Sequence, residues 1–528
     1  MNIVFVAGGR STRFNHLSKM FPKILLPTSK SDSILANNIQ LLDNPNNNLF
    51  LIINHNFYDM VVEYLDRVFI DYRLKIFKAY NTNGSYNSIR AVAEEYKEEF
   101  PLEDVLFIWS DLILDKSFNP NKFDSDSIGT FRNLHNRYDF SDGNVFKSTK
   151  GNIIGIYYIK DLTRLFELVP LDKYTDNFDL VDAIAKDIET YGSEYKAIPI
   201  ENIEEYRDYE IYKKLYKSKS IENKAKTRFF NEMRVVEKDG HKCLFKKVID
   251  PNYRNVMKNE YQWYESLTNS EFSKFIPKIY GVDRENDNIN GFYMEYLEPN
   301  EYCTLYEYIY SFPQEESIEV YENIRKSLDM LHESSIKLVS KEIFERDLRK
   351  EIVSKVLKRC DGIHTYLQNY NREKLSELLE RTYNVILEYE PNDTVEYCIC
   401  HGDLNASNVM VNKKTREIKY IDPRGYFGDT FLYGWPAYDF AKILYGLNGY
   451  DNFNLSAMIY LEDEPSRHSL YGKIEYLNNP LYKILVGVIY IALAGYICQD
   501  VMKANIAYDY GVKILKDALE EHEKVSKQ

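Results

Sequence analysis

Two short segments carry most of the chemistry this sequence can do. The first is His401-Gly402-Asp403-Leu404-Asn405-Ala406-Ser407-Asn408, followed by Ile421-Asp422-Pro423-Arg424-Gly425. An aspartate five residues before an asparagine, both after a predicted strand, can place a base and a metal ligand in one loop. A second aspartate, fourteen residues after the asparagine and at the end of the next strand, completes a site for a magnesium-bound triphosphate. Asp403 is then expected to accept a hydroxyl proton. Asn408 and Asp422 are expected to hold Mg²⁺ against the phosphates of ATP. His401 reads as the residue that organises the loop, not as a general base.

The second segment lies at the start of the sequence: Val6-Ala7-Gly8-Gly9-Arg10-Ser11-Thr12-Arg13-Phe14, then Pro22-Lys23. A predicted strand ends, and two glycines let the backbone turn tightly. The backbone from Ala7 through Gly8 and Gly9 to Arg10 can cradle a triphosphate, because glycine permits close approach. Arg13 and Lys23 can neutralise charge that develops on the phosphates.

The elements that must position these residues read as two domains, 1–218 and 219–528. In the first, Ile3 to Ala7, Leu49 to Asn54, Lys75 to Ala79 and Val105 to Ser110 look like strands. Ser33 to Asp43, Asp59 to Phe69 and Tyr86 to Glu99 look like helices. That rhythm predicts an α/β domain of Rossmann-like type, with a parallel sheet, helices on both faces, and a ligand at the carboxyl ends of the strands. The run Glu201 to Ser220 reads as a charged helix ending in a junction at Lys217-Ser218-Lys219-Ser220. Beyond it, Phe229 to Val236 and Lys242 to Ile249 form a predicted hairpin around Asp239-Gly240. A helix follows at Tyr253 to Leu267 and a strand at Gly291 to Leu297; after Gln314 the pattern is mostly helical. A small sheet followed by a larger helical part predicts a two-lobed α+β domain.

Composition narrows the function. Basic residues number 67 against 81 acidic ones, a net charge of −14, which excludes a general nucleic-acid binder while leaving room for a local nucleotide pocket. The six cysteines are scattered without a CxxC pair, the usage of a reduced, cytoplasmic protein without structural zinc. The Met1 to Ala7 run is too short for a secretory signal. Ile484 to Cys498 is shorter than the ~20 residues of a membrane span and reads as a buried core helix. The 46 tyrosines fit a codon bias better than an aromatic cage, which a count cannot locate.

The first segment of the N-terminal half resembles the signature of nucleotidyltransferases that join a nucleoside triphosphate to a sugar phosphate or phosphocholine. The spacing from Arg13 to Pro22-Lys23 is similar to that of bacterial phosphocholine cytidylyltransferases, and the Gly-Gly-Arg-Ser start to molybdopterin guanylyltransferases. The resemblance implies that Ser85 and Asn87, in Asn83-Gly84-Ser85-Tyr86-Asn87-Ser88, contact base and ribose. It implies that Asp111, in Trp109-Ser110-Asp111, binds Mg²⁺. Ile203-Glu204-Glu205-Tyr206-Arg207-Asp208 resembles the family's late acidic segment, which makes Glu204 the second metal ligand; Asp176 and Asp179 compete for that role.

The C-terminal half, from about Phe229 onward, resembles the aminoglycoside phosphotransferase and choline kinase family, with its protein-kinase-like fold. The resemblance implies that Lys246 or Lys247 binds phosphate, strand phase alone not choosing between them, and that Glu260 pairs with that lysine. It makes Met294-Glu295-Tyr296-Leu297 the hinge, where Glu295 and Tyr296 meet adenine through the backbone, and Asp439 a structural aspartate. Pro423-Arg424-Gly425 departs from choline kinases. Arg424 beside the acceptor would repel a cationic amine and favour a polar or anionic one, unless it pairs with a local carboxylate such as Asp429.

Together the halves imply a bifunctional bacterial enzyme. One half would phosphorylate a small alcohol such as choline or ethanolamine with ATP. The other would couple that phosphate to CMP from CTP, for decoration of a surface polysaccharide. The alternatives are a sugar kinase joined to a sugar-phosphate nucleotidyltransferase, and a nucleotide-binding scaffold with one inactive half.

Overall fold

The computed structural model describes residues 1–9, 22–28, 33–68, 72–80, 83–131, 136–169, 178–206, 211, 231–285, 288–455, 468–497 and 500–526. The chain divides into two compact units. The first is Met1–Lys219 with the short segments Thr365–Gln368 and Ile497–Asn505, and the second is the remainder.

The first unit is built on a seven-stranded sheet. Its elements are β1 (Asn2–Ala7), α1 (Ile34–Leu42), β2 (Asn48–Asn54), α2 (Tyr58–Val68), β3 (Leu74–Ala79), α3 (Ser85–Glu95), β4 (Glu103–Trp109), β5 (Leu112–Leu114), β6 (Ser127–Thr130), β7 (Asn136–Ser141), β8 (Asn144–Gly151), β9 (Ile153–Asp161), α4 (Leu162–Leu168), α5 (Leu180–Tyr191), β10 (Lys196–Pro199) and β11 (Ile203–Glu205). The order is β10-β6-β9-β4-β1-β2-β3. Strands β3, β2, β1 and β4 are parallel, as the alternating pattern predicts. Strand β9 runs antiparallel to both β4 and β6, so the sheet is mixed, not purely parallel. Ile3 to Ala7 is buried without a break, as a central strand covered on both faces requires. The chain moves from β1 to one side through β2 and β3, then returns to the other side as β4. That reversal opens a crevice at the carboxyl ends of β1 and β4.

One predicted element differs. Ile203–Glu205 is a strand, not part of a helix, and pairs antiparallel with β5 just after Asp111. Its short apolar and acidic run satisfies its backbone on a neighbouring strand, which helical periodicity cannot anticipate.

The second unit begins with a four-stranded antiparallel sheet, ordered β12-β13-β15-β14. These are β12 (Asn231–Lys238), β13 (His241–Val248), β14 (Ile279–Glu285) and β15 (Asn288–Glu295), with α6 (Arg254–Leu267) between β13 and β14. Asp239 and Gly240 take φ of 51° and 77°, the left-handed pair of a two-residue hairpin turn. The larger part comprises β16 (Tyr302–Thr304), α7 (Leu305–Ser311), α8 (Gln314–Ser334), β17 (Lys337–Ser340), α9 (Lys341–Arg349), α10 (Lys355–Asp361), α11 (Arg372–Glu388), β18 (Thr394–Ile399), β19 (Val409–Asn412), β20 (Ile418–Tyr420), α12 (Pro436–Leu447), α13 (Tyr450–Leu455) and α14 (Pro480–Ala494). Nearly every residue of α14 is buried, as expected of the apolar stretch there; Cys498 lies outside the described residues. Among the described residues no helix is long and apolar enough to cross a membrane. The other five cysteines are buried and free of disulfides.

Candidate functional site

In the second unit, the alternation of β13 decides between the two lysines. Lys246 is buried and Lys247 faces solvent, because successive side chains of a strand point to opposite faces. Lys247, expected as an alternative phosphate ligand, instead points away from the site. Glu260 lies on the apolar face of α6 with Met257 and Tyr264. Lys246 Nζ sits 2.7 and 2.8 Å from the two Glu260 carboxylate oxygens and 2.5 Å from Asp422 Oδ1. Both Lys246 and Glu260 side chains are 3% exposed, whereas Asp422 keeps 30%, so the cluster opens at Asp422. Asp422 has a φ of 56°, rare for a residue with a Cβ, and its N–H donates to the Tyr264 hydroxyl at 3.1 Å.

The loop after β18 is held from three sides. Asp439 on α12, fully buried, accepts from the His401 and Gly402 N–H groups at 2.9 and 2.7 Å. The His401 ring bonds the Ile421 carbonyl through Nε2 at 3.0 Å, and Nδ1 faces the Asp403 N–H at 3.3 Å. Burial lowers its pKa, so a neutral ring with the proton on Nε2 ties the loop to the Asp422 segment. Ser407 donates through its N–H and its hydroxyl to Asp451 of α13.

Asn408 donates its amide to the Asp403 carbonyl at 2.7 Å and to Asp403 Oδ2 at 3.3 Å. That commits its nitrogen, and the Asn408 backbone carbonyl accepts from the Ile421 N–H at 3.0 Å, which sets the loop beside the Asp422 segment. One amide oxygen and one carboxylate suit magnesium, which takes few protein oxygens and completes its shell with phosphate and water. Two features escaped the sequence reading. Lys442 Nζ lies 3.0 Å from Asp403 Oδ1. Arg424 pairs with Glu351, not with Asp429, and Asp429 pairs with Lys350 instead.

Glu295 ends β15, where its N–H donates to the Lys278 carbonyl at 2.7 Å and its Oε2 accepts from the Lys278 N–H at 3.1 Å. Tyr296 follows, with Lys242 Nζ 4.5 Å from its ring centre.

In the first unit, topology brings the end of β1, where Ala7, Gly8 and Gly9 follow Val6, beside the end of β4 that leads to Ser110 and Asp111. The Ser110 N–H donates to the Val6 carbonyl at 3.2 Å. A Cβ on Gly8 would lie 3.0 Å from Ser88 Cβ and Oγ and 3.2 Å from Ala79 Cβ, so the glycine lets the loop touch the start of α3. Arg10 and Arg13 lie outside the described residues, as does Asp176. Lys23 opens a short 3₁₀ turn after Pro22, and its Nζ sits 3.0 Å from Asp111 Oδ2, both side chains largely buried. Strand β11 runs alongside, with Glu204 opposite Ile113 and the Tyr206 N–H donating to the Asp111 carbonyl at 2.8 Å. Among the described residues no three acidic, His or Cys side chains converge as a metal cage. The Asp111 carboxylate is an oxygen donor of the kind magnesium takes when phosphate supplies most of its shell, and Glu204 lies on the strand paired with the segment that follows it.

Ser85 starts α3. Its N–H and hydroxyl both donate to Asp179 Oδ1 at 3.1 Å, and its Oγ accepts from the Leu180 N–H at 3.0 Å. Asp179 is thus an N-cap of α5 and a clamp on α3, which removes it as a metal competitor. Asn87 is buried, its amide closing on the Asn83 carbonyl at 2.6 Å.

Residues 231–468 match the phosphotransferase enzyme family, APH. No curated protein matches the chain in sequence. Among solved structures, a nucleoside-diphosphate-sugar pyrophosphorylase from Vibrio cholerae RC9 is similar at 14% identity, covering 40% of this chain and 98% of that one, with a TM-score of 0.33. An ethanolamine kinase from Plasmodium vivax is similar at 16% identity, covering 55% and 82%, with a TM-score of 0.34. The streptomycin–ATP complex of APH(2″)-IIa is similar at 19% identity, covering 59% and 95%, with a TM-score of 0.32. The C-terminal half of the chain carries a kinase-like phosphotransferase domain.

Proposed function

We propose that the chain is a bifunctional enzyme, with 1–218 a nucleotidyltransferase domain and 219–528 a small-molecule kinase domain. The observation that carries the kinase half is the buried lysine–glutamate pair, Lys246 with Glu260, aimed at Asp422 beside the Asp403–Asn408 loop. Lys246 would bind ATP phosphates, with Glu260 fixing its direction, and the backbone at Glu295 and Tyr296 would meet the adenine. Asp403 would accept the proton of the acceptor hydroxyl as that oxygen bonds to the γ-phosphorus and ADP leaves. Mg²⁺, when bound at Asn408 and Asp422, would neutralise charge on the phosphates.

In the first half, the backbone from Ala7 to Arg10 would cradle CTP, with Ser85 and Asn87 at the base and ribose. Lys23 and Arg13 would offset charge on the triphosphate, and Asp111 with Glu204 would serve the metal. An oxygen of the acceptor phosphate bonds to the α-phosphorus, the α–β bridge breaks and pyrophosphate leaves. Positioning and charge neutralisation suffice, without a protein nucleophile. The product is a CDP-linked alcohol, a precursor for surface polysaccharide decoration.

Choline and ethanolamine are the acceptors the resemblance favours. A sugar or other non-amine acceptor is the second reading, favoured by two cations, Arg424 and Lys355, that share the one carboxylate of Glu351. The test is incubation with Mg²⁺, ATP, CTP and a panel of small alcohols and sugars, read by product mass. A CDP-linked product would establish both half-reactions. A phosphorylated acceptor without a nucleotide adduct, whichever nucleoside triphosphate is supplied, would refute the first half.

A further inference from the structure

Beside the Asp403 loop lies an ionic cluster that neither ATP nor metal requires. Arg424 reaches Glu351 with both terminal nitrogens, Nη1 at 3.2 Å from Oε2 and Nη2 on Oε1. Glu351 also pairs with Lys355, one turn further on. Glu351 sits in a π-helical turn, Lys350–Ser354, between α9 and α10. Such wide turns recur at functional sites.

The cluster touches the phosphotransfer loop. The Arg424 N–H donates to the His401 carbonyl at 2.7 Å, and a Cβ on Gly402 would lie 3.2 Å from Arg424 Cβ. Tyr438, buried on α12, feels the charges of Glu351 and Arg424 and also that of Asp403. Its ring centre lies 5.9 Å from the Arg424 guanidinium, so it is a neighbour of the cluster.

Two cations share one carboxylate here, and Arg359 on the next turn adds to the positive field at Lys355. The chain as a whole is at −14, so the local excess runs against its global charge. Arg424 and Glu351 are nearly closed off, with side chains 16% and 2% exposed, while Lys355 keeps 23%. The face of Tyr426 is taken by the Arg424 guanidinium, 3.8 Å from its centre, and so is denied to a ligand cation. Of the three side chains Lys355 is the most exposed, and its ammonium has three donors, with Glu351 as its carboxylate partner. Burial, then Arg424 and Arg359, push that amine down to about 7 against the pull of Glu351. A ligand anion would oppose that shift.

We propose that the alcohol phosphorylated by the second unit carries an anionic group, a carboxylate or a phosphate, bound by Lys355. This rests on the phosphotransferase reading above and narrows its acceptor. An ammonium group at the same place would meet Lys355 and Arg424, two cations with one carboxylate between them.

The test measures ADP release with full-length protein and acceptors in matched sets of two to seven carbons. Each set holds a polyol, its hydroxy acid, its phosphate monoester and its amino alcohol. The expected result is a kcat/KM for acid or phosphate members about tenfold or more above that of neutral and amino counterparts. Lys355→Met should erase that preference through the acceptor KM, Lys355→Arg should retain it, and the KM for ATP should stay unchanged in both. A preference for the amino or neutral members would overturn the proposal, as would an equal loss for every acceptor in Lys355→Met. Calorimetric titration of the same acids, with a non-hydrolysable ATP analogue present, serves where turnover is too slow. Binding abolished by Lys355→Met upholds the proposal, and no binding of any acid overturns it. ADP release that survives Asp403→Asn would instead overturn the kinase reading itself.

Discussion

Lys442 Nζ lies 3.0 Å from Asp403 Oδ1, one helical turn beyond the Asp439 carboxylate that fixes the backbone of the same loop. Helix α12 thereby holds both the loop and its reactive side chain. If Asp403 receives the acceptor's proton, as proposed, this ion pair orients the carboxylate and limits its basicity at once.

Lys442→Met is expected to lower kcat for phosphorylation by about 10- to 100-fold, the worth of one charge-assisted hydrogen bond. The KM for ATP should change little, because Lys442 contacts Asp403 and not the Lys246 cluster. Steady-state kinetics with ATP and an identified acceptor checks this. Lys442→Arg should recover part of the loss, and an unchanged kcat in Lys442→Met would refute the role.

The Lys246–Glu260 pair makes a different prediction. Breaking a buried pair by removing one partner typically costs about 3–5 kcal/mol, because the remaining charge is stranded. Lys246→Met should therefore lower the thermal midpoint and also abolish phosphorylation. A double variant, Lys246→Met with Glu260→Leu, should regain much of the stability and none of the activity. Thermal unfolding beside an ADP-release assay separates the two effects. Restored activity in the double variant would exclude Lys246 from phosphate binding.

Much of this architecture was legible in the sequence, and the failures have physical causes. Strands such as Ile3 to Ala7 announce themselves because a central strand must be apolar on both faces. The Asp403, Asn408 and Asp422 set is readable because its geometry is local, one loop and the strand that follows. The Lys246 and Lys247 choice was not readable, since the run Leu244-Phe245-Lys246-Lys247-Val248 fits either phase until β12 and β15 flank it. Lys442 and Glu351 were invisible for another reason. Their partners lie 39 and 73 residues away, and only the packing of helices against the loop brings them together. Ile203–Glu205 was misread because a three-residue strand carries no period of its own.

Asp451 gives the chain a pH dependence with a definite sign. Burial pushes its carboxyl up from 3.8 to about 6, against the Ser407 hydroxyl and the backbone N–H groups that favour the ionised form. Between those values the folded chain holds a proton that the unfolded chain has released. This contribution to stability therefore falls as pH rises through that window, by at most about 3 kcal/mol. Asp451→Asn keeps an acceptor for Ser407 and removes the titration. The thermal midpoint of the variant, relative to the parent, should rise between about pH 4 and pH 7. A difference that stays constant with pH would show that Asp451 titrates like an exposed carboxylate.

The two candidate sites draw on separate residues, and this separation can be tested directly. Asp111→Asn removes the carboxylate that Lys23 meets and, in the proposed reading, a metal ligand of the first site, so CMP transfer should fall by at least about 100-fold. Phosphorylation of the acceptor by ATP should persist at near the parental rate, which also reports that the rest of the chain is folded. Asp403→Asn should do the reverse: no phosphorylation of the alcohol, but normal CMP transfer once the phosphorylated acceptor is supplied. The measurement is product mass from four incubations, each variant with the free and the phosphorylated acceptor. If either substitution silences both reactions in a protein whose unfolding transition is intact, the halves share one site or one obligatory conformation. The assignment of Asp111 and Asp403 to separate chemistries would then fall.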